Sequence, residues 1–453
     1  MFYARTKELE QIDSILKGKN NTILVYGKRR VGKTTLIKEA VKKYDYIYYE
    51  CLEDSLSANI ESFYNKLKSK NIIIPNYINF KDFIDVFEFL NSLNTKYVIV
   101  IDEYPYLKTV NEGKAIDSMF QNVIDNHLDN LNLIISGSQV KIMCELLQEG
   151  NPLFGRFKSS FLINELNYLD SSLFYSNKSF YDKIAFYSIF GGSPYINEAI
   201  NPNKTLKENI INTFLNQTSS IYNYADCLLI SDLAGKVQAK KIISALGNSK
   251  KKYKELEDIV DEEKTGKINI GLKALLELGI VKKNYPINKR DDNKKSYYEI
   301  SDNALRFFYT YVNKNRSILA EIGEDVFYNQ YIKPSLTTYI SHRFVDIARQ
   351  YFSISSKKGK IKVLDIGTYY YDDSKNHTNG EFDCVIKVDD GYEIYEVKYL
   401  KDLLDKNTIE KEINQIKEIK EFFVKNIGFI TVFGAESDCK EYKIIDGNDL
   451  YNI

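Results

Sequence analysis

The chain is 453 residues long, 44% hydrophobic and 27% charged, with 62 basic against 62 acidic side chains. That length exceeds one hydrophobic core, so two to four domains are expected, and the composition is globular, not disordered. Zero net charge excludes global steering towards nucleic acid and leaves only local patches for such contact. Five scattered cysteines (Cys51, Cys144, Cys227, Cys384, Cys439) include no Cys-x-x-Cys. This argues against a disulfide framework or zinc ribbon and fits a reducing cytoplasm. His127, His342 and His377 lie too far apart in sequence to suggest a local metal site or triad. The opening "MFYARTKELEQ" is charged and lacks a signal-peptide apolar core, and no apolar run approaches the roughly 20 residues of a membrane span. A soluble cytoplasmic protein is expected.

The first chemical signal is "NTILVYGKRRVGKTTLIKEA": a strand over 22–26, a loop, and a helix starting near Lys33. Gly27, Gly32, Lys33 and Thr34 match G-x-x-x-x-G-K-[ST]. Such glycines let backbone N–H groups turn around a phosphate, and the helix N-terminus adds its positive dipole end. The predicted ATP-binding set is Gly27, Lys28, Arg29, Arg30, Val31, Gly32, Lys33, Thr34 and Thr35. Lys33 is expected on the β- and γ-phosphates and the Thr34 hydroxyl on Mg²⁺. In "KYVIVIDEYPYL" the residues 98–101 read as a buried strand ending at Asp102-Glu103. Ligands of open α/β sheets bind outside the carboxyl ends of strands, so Asp102 is expected to hold Mg²⁺. Glu103 is expected to activate the attacking water, which implies hydrolysis as well as binding. A third strand over 131–136 leads to Ser138, either a γ-phosphate or water contact or a plain strand-end turn. Arg156, in "NPLFGRFKSS", is either an arginine finger, in its own subunit or a neighbour's, or a surface Arg paired with a carboxylate.

Taken in order, "FYARTKELEQI", "VYGKRRVGKTTLI", "VIVIDEYPYL", "LIISGSQV" and "NPLFGRF" resemble the prokaryotic AAA-type ATPases called archaeal ATPases, relatives of signalling ATPases with a helical lid and winged helix. "FGGSPYI" resembles that family's Gly-Gly-x-Pro-Tyr lid motif, and the resemblance implies that the segment Arg5 to Glu8 lies near the adenine. It covers about residues 2–310, with Lys28 standing where Arg is more usual.

Residues 167–228 read as helical, punctuated by Gly191-Gly192 and Pro194. The stretch that follows has a winged-helix cadence of three short amphipathic helices and two strands around a polar tip. Lys264, Lys267 and Lys273 fall on the expected recognition helix, and Lys289, Arg290, Lys294 and Lys295 on the wing tip. These could contact DNA phosphates, although Asp291, Asp292 and "ELEDIVDEE" partly cancel them.

After "NALRFFYTYVNKNR" comes an amphipathic helix with the stripe Leu336, Ile340, Phe344, Ile347, Ala348, Tyr351. A strand "KIKVLDIG", a loop "TYYYDDSKNHTNG" and the hairpin "GEFDCVIKVDDGYEIYEVKY" follow. With a two-residue turn at Asp390-Gly391, Asp383 faces Lys398 and Val385 faces Glu396, so Asp383, Glu396 and Lys398 share one side. Asp383 and Glu396 could share Mg²⁺, with Lys398 orienting a water or neutralising an oxyanion, as in metal-assisted phosphodiester hydrolysis. The tripeptide alone is weak, since Glu418-Ile-Lys420 and Glu441-Tyr-Lys443 also fit. D-x₁₂-E-V-K resembles the PD-(D/E)XK nuclease fold, and residues 320–453 resemble the nuclease-like domain of unknown function that accompanies such ATPases. The resemblance implies a catalytic set of Asp383, Glu396 and Lys398. The departure is Phe344-Val345 where that family has Phe-Glu, with Asp346 about 100° further round the helix.

The sequence therefore predicts an α/β multidomain protein: a P-loop NTPase core (1–165), helical lid (166–228), winged helix (229–312) and restriction-endonuclease-like α/β domain (313–453). Its expected function is Mg²⁺-dependent ATP hydrolysis coupled to DNA binding or cleavage. The alternatives are an ATP-operated switch with a spent C-terminal metal site, and a nucleotide-stabilised scaffold. Homo-oligomerisation is left open.

Overall fold

A computed structural model describes residues 4–110, 113–223, 237–247, 249–260, 266–373, 378–417, 424–439 and 441–453; Cys227, Lys264, His377 and residues 418–420 lie outside them. The chain divides into two compact units, Met1–Glu165 with Ser193–Tyr195, and Leu166–Gly192 with Ile196–Ile453.

In the first unit β1 (Asn21–Tyr26), β2 (Tyr46–Glu50), β3 (Val98–Asp102), β4 (Asn132–Gly137) and β5 (Ser159–Leu162) form a parallel sheet in the order β2-β3-β4-β1-β5. A parallel sheet is covered on both faces, so its strands read as near-continuous apolar runs. Val98, Ile99, Val100 and Ile101 are all fully buried. Alternate residues serve opposite cores. Ile23, Val25, Val98 and Val100 pack with helices Thr6–Leu16 and Lys33–Val41. Leu24, Ile99, Ile101 and Ile135 join Phe63, Phe83, Phe87 and Phe120 from three helices on the other side. The phenylalanine cluster is tight, with the Phe120 ring 5.2 Å from Phe83 and 5.1 Å from Tyr104.

The second unit starts with helices whose aromatic residues form its interior; Ile184 to Phe190 are buried without a break. Helices Val237–Leu246, Tyr253–Val260 and Lys267–Glu277 precede an antiparallel ribbon of β6 (Val281–Asn284) and β7 (Tyr297–Ile300). A 25-residue helix, Lys333–Lys357, buries Leu336, Ile340, Phe344, Ile347 and Ala348 as its stripe predicts, with Phe352 in place of Tyr351. It packs on a mixed sheet of β8 (Asp365–Asp373), β9 (Thr378–Val388), β10 (Gly391–Lys398), β11 (Val424–Thr431) and β12 (Lys443–Ile445), ordered β12-β11-β10-β9-β8. The first three strands form an antiparallel meander; β10, β11 and β12 run parallel, β11 being reached through helix Lys406–Lys417.

Three expectations are corrected. "TYYYDD" is not loop but strand: β8 runs on to Asp373, because Tyr369 and Tyr371 pack with Phe382 of β9. The hairpin turn falls at Asp389-Asp390, with Gly391 already paired to Val388. The register is therefore displaced by two residues along the paired stretch, which runs to Ile394 opposite Val385. An even displacement keeps those residues on their predicted faces. The β8–β9 pairing is irregular at Asp383-Cys384, however, and beyond it Phe382, expected on the other face from Val385, joins it in one apolar cluster.

The third correction concerns the ribbon tip, which was expected to be free for DNA. Ile287 N–H donates to the Thr368 carbonyl at 2.8 Å. Asn288 exchanges two hydrogen bonds with the Tyr370 backbone, at 2.7 and 3.1 Å. Arg290 pairs with Asp365, and Lys295 sits 3.7 Å over the Tyr370 ring. Two of the four basic tip residues are thus engaged by β8, while Lys289 and Lys294 stay exposed.

Phe120→Ala removes the ring at the centre of the first aromatic core, at an expected cost of about 3–5 kcal/mol. Denaturant unfolding followed by circular dichroism should show a clearly lower midpoint; an unchanged midpoint would refute the assignment of this cluster as core.

Candidate functional site

Residues 27–32 follow the carboxyl end of β1 and lead into helix Lys33–Val41. Gly27 is required by close approach: a Cβ there would lie 2.1 Å from the Ile163 carbonyl oxygen. Gly32 caps the helix at φ 90°, a conformation costly for any residue with a Cβ. Val31 is buried, whereas Arg29, Arg30, Thr34 and Thr35 face solvent and Lys28 approaches Glu165 at 4.0 Å. The Lys33 side chain is folded into the loop, its ammonium donating to the Gly27 and Lys28 carbonyls at 2.9 Å each. Burial lowers its pKa, while Asp102 and Glu103 pull the other way.

β3 delivers the acidic pair. Asp102 is buried, and its Oδ2 accepts from the Thr34 hydroxyl at 3.1 Å and from the Tyr48 hydroxyl. Burial, then the Asp102 charge, raises the Tyr48 pKa, so that phenol stays protonated and a donor. The Glu103 N–H donates to Asp102 Oδ1 at 3.0 Å. Glu103 sits at φ 51°, a left-handed conformation that costs a non-glycine residue about 1–3 kcal/mol. Its carboxylate is held by Ser138, whose N–H and hydroxyl both donate to Oε2, at 3.0 and 2.8 Å. Just beyond, Tyr104 and Lys108 are pinned by buried Asp117 at 2.8 and 2.6 Å. That anchorage keeps the turned backbone in place.

Two braces of the loop are invisible in the local motif. Arg5 donates to the Val31 carbonyl at 3.0 Å and to the Asn164 carbonyl. From Ser193–Tyr195, the Ser193 hydroxyl donates to the Arg30 carbonyl at 3.3 Å, and Arg30 stacks 4.2 Å over the Tyr195 ring. The sequence signals were the opening "ART" and the "GGSPY" pentapeptide, but their contacts with the loop join residues 26 and 163 positions apart. Tyr48 had no signal beyond its place in an aromatic strand.

Arg156 is corrected as a finger in its own subunit. Its carbonyl accepts from Thr22 at the start of β1, the sheet edge opposite the loop and roughly 17 Å away at 3.3 Å per residue. Its guanidinium is taken by Asp125, at 2.8–3.1 Å, and by the Pro152 carbonyl at 2.8 Å.

Two segments of the chain match known families. Residues 2–198 match the family described as an ATPase domain predominantly from Archaea. That segment is similar to a P-loop ATPase domain. Residues 308–416 match a family described as archaeal and bacterial proteins of unknown function. An uncharacterised protein of Methanocaldococcus jannaschii is 27% identical over 416 residues, 90% of this chain and 89% of that one. In fold the chain is similar to a Walker-type ATPase of Pyrococcus abyssi, with 18% identity, 68% of this chain and 96% of that one covered, and a TM-score of 0.50. The ORC2 protein of Aeropyrum pernix aligns with a TM-score of 0.47 and 12% identity, over 70% of this chain and 96% of that one. The match to that ATPase family supports binding and hydrolysis of ATP, and its segment includes Lys33, Asp102 and Glu103. No helix among the described residues is long and apolar enough to cross a membrane.

In the second unit Glu396 and Lys398, two residues apart on β10, share a face of the sheet, while Asp383 lies at an irregularity of β9. Lys398 pairs with Glu412 of helix Lys406–Lys417 at 2.6 Å and lies 3.7 Å from Glu396. Burial raises the Glu396 pKa, Lys398 opposes this, and Glu412 and Asp383 add to it. Asp383 is more exposed and has the Lys250 ammonium 3.7 Å away. Asp346 is drawn into a cation cluster with Arg343 at 3.1 Å, Arg306 at 3.7 Å and Arg349 at 3.9 Å. Burial would raise its carboxyl, but Lys282, Arg306 and Arg349 hold it below the ordinary value. It is therefore no substitute for the missing helix glutamate. Among the described residues no group of three or more His, Cys, Asp or Glu is arranged to hold a metal. Glu412, unnoticed in sequence because it lies on another element, is the group that engages Lys398.

Arg156→Ala should leave the ATPase kcat within about twofold and remove no more than about 1 kcal/mol of stability, as expected of an exposed ion pair. A finger would cost 10³-fold or more; a loss of that size in steady-state hydrolysis would restore that role through a neighbouring subunit.

Proposed function

We propose that the protein is a Mg²⁺-dependent ATP hydrolase working as a nucleotide-operated switch. The observation that carries this is the convergence of the Thr34 hydroxyl, the Asp102 carboxylate and the Glu103 carboxylate at the strand ends beside the phosphate loop. Thr34 and Asp102 are hard oxygen donors of the kind Mg²⁺ takes, and the ion would neutralise charge on the β- and γ-phosphates. Lys33 would exchange its two loop carbonyls for phosphate oxygens. Glu103 would orient and deprotonate the attacking water once Ser138 releases it or swings with it. The contact of Ser193–Tyr195 with Arg30 supports a readout in which a nucleotide that moves the loop also moves that segment. Lys33→Ala should abolish nucleotide binding. Glu103→Gln should keep binding within a fewfold and lose at least about 10²-fold in kcat, and chelation of Mg²⁺ should silence the wild type. Wild-type turnover by Glu103→Gln would remove the glutamate from the mechanism.

A second reading, DNA cleavage by the C-terminal domain, is favoured by one observation. A helix, a three-stranded meander, a crossover helix and a parallel strand follow one another, with Glu396 and Lys398 on one face of β10 and Asp383 on the neighbouring β9. That order is the one expected of the nuclease-like fold. Against activity stand Val345, the engaged Asp346 and the Lys398–Glu412 pair. The winged-helix reading of residues 237–300 retains Lys267, Lys273, Lys289 and Lys294 for DNA. Incubation of supercoiled DNA with Mg²⁺ or Mn²⁺, with and without ATP, is expected to yield no nicking. Nicking that disappears in Glu396→Ala would make the hairpin an active site.

A further inference from the structure

A cavity of about 300 Å³ in the second unit lies between the end of helix Val237–Leu246, helix Asn303–Phe307 and the long helix Lys333–Lys357. Four cationic side chains line it, Lys250, Arg306, Arg343 and Arg349, together with the carboxylates of Glu299, Asp346 and Asp383. The surrounding ion-pair cluster, among the described residues, sets these four and Lys282 against Glu299, Asp346, Glu381 and Asp383, an excess of one positive charge. The excess is concentrated at Arg306. This residue is only 6% exposed, and its Nη2 donates to Glu299 at 3.1 Å and to the Ile300 carbonyl. Its Nη1 makes no hydrogen bond among the described residues, the Asp346 carboxylate being 3.7 Å away. A buried guanidinium N–H without an acceptor is costly, and a cluster with surplus charge beside an open volume is relieved by an anion.

We propose that this cavity binds a phosphate-type oxyanion, as the free ion or as the phosphate of a mononucleotide. Its donors come from three elements and from different directions, which suits a tetrahedral anion better than a planar carboxylate; guanidinium forks are the side chains that bind phosphate bidentately. The volume is at the lower bound of small-molecule sites, which fits an ion or a mononucleotide and excludes a duplex. The bound anion would tie Lys250, next to the ribbon module, to Arg343 and Arg349 of the long helix. The site contains no residue of the phosphate loop and shares Asp383 with the hairpin.

The test uses full-length Lys33→Ala protein, in which the phosphate loop is disabled, titrated calorimetrically with inorganic phosphate at constant ionic strength. One saturable site per chain is expected. Lys250→Gln and Arg343→Gln, at side chains 41% and 18% exposed, should raise its Kd at least tenfold, and Lys250→Gln should melt normally without phosphate. AMP binding at least tenfold tighter than phosphate identifies the nucleotide as the source; equal affinities identify the free ion. Absence of saturable binding by either probe, or binding unaltered in both variants, overturns the proposal.

Discussion

The first unit turns on one buried carboxylate. Asp102 lies at the end of a strand that is apolar along its whole length, and a bare charge there would be prohibitively expensive. Three donors from three places make it tolerable: the Thr34 hydroxyl from the helix after the phosphate loop, the Tyr48 hydroxyl from the neighbouring strand, and the N–H of Glu103. Each bond fixes its donor as firmly as it satisfies the acceptor. The loop helix is set against β3, β2 is set against β3, and the turn that aims Glu103 is closed. The Thr34 and Tyr48 hydroxyls thus compensate the charge of Asp102 from two different elements.

The strain at Glu103 belongs to the same logic. A left-handed glutamate persists because Asp117 pins Tyr104 and Lys108 on one side and Ser138 holds the carboxylate on the other. The residue that must meet water is thereby kept off the strand axis and out of the core. Ser138, which from sequence was either a phosphate contact or an ordinary turn, acts in this state on the base itself. Its two hydrogen bonds give Glu103 one defined position to leave.

What sequence reveals here is what is local in the chain. The phosphate loop, the strand ending in Asp-Glu and the helical stripe of Leu336 to Ala348 are each written in fewer than 20 consecutive residues. Tyr48, Arg5 and Ser193–Tyr195 act across the fold, and no periodicity announces them. The hairpin is an instructive intermediate case. Asp389, Asp390 and Gly391 are all turn formers, so propensity alone could not choose between adjacent turns. The chosen turn was wrong by one position, yet the paired residues next to the turn kept their faces because the displacement was even. The irregularity at Asp383-Cys384, which no alternation announces, ends that parity further along β9. Faces are set by parity, which the alternation of residues reveals; partners are set by register, which it does not.

Charge in the second unit shows the limit of counting basic residues. The ribbon tip looked like a DNA contact because four cations fall within seven positions. Arg290 is paired with Asp365 and Lys295 lies on Tyr370, while backbone hydrogen bonds from Ile287 and to and from Asn288 extend the β8 edge. An edge strand left open invites pairing with other chains, and a neighbouring loop that caps it removes that hazard. The tip therefore has a structural reason to be polar and basic: it must match an acidic, tyrosine-rich strand. The same holds for Lys250, whose ammonium bridges Glu381 and Asp383 from the ribbon module. With these cations turned inward, the module and the C-terminal sheet are held by complementary charge. Of the basic residues proposed for DNA, those described outside that match are Lys289 and Lys294 at the tip and Lys267 and Lys273 on the preceding helix. Binding through the committed residues would first require breaking their pairs with the sheet, which makes the docked ribbon a structural strut before it is anything else.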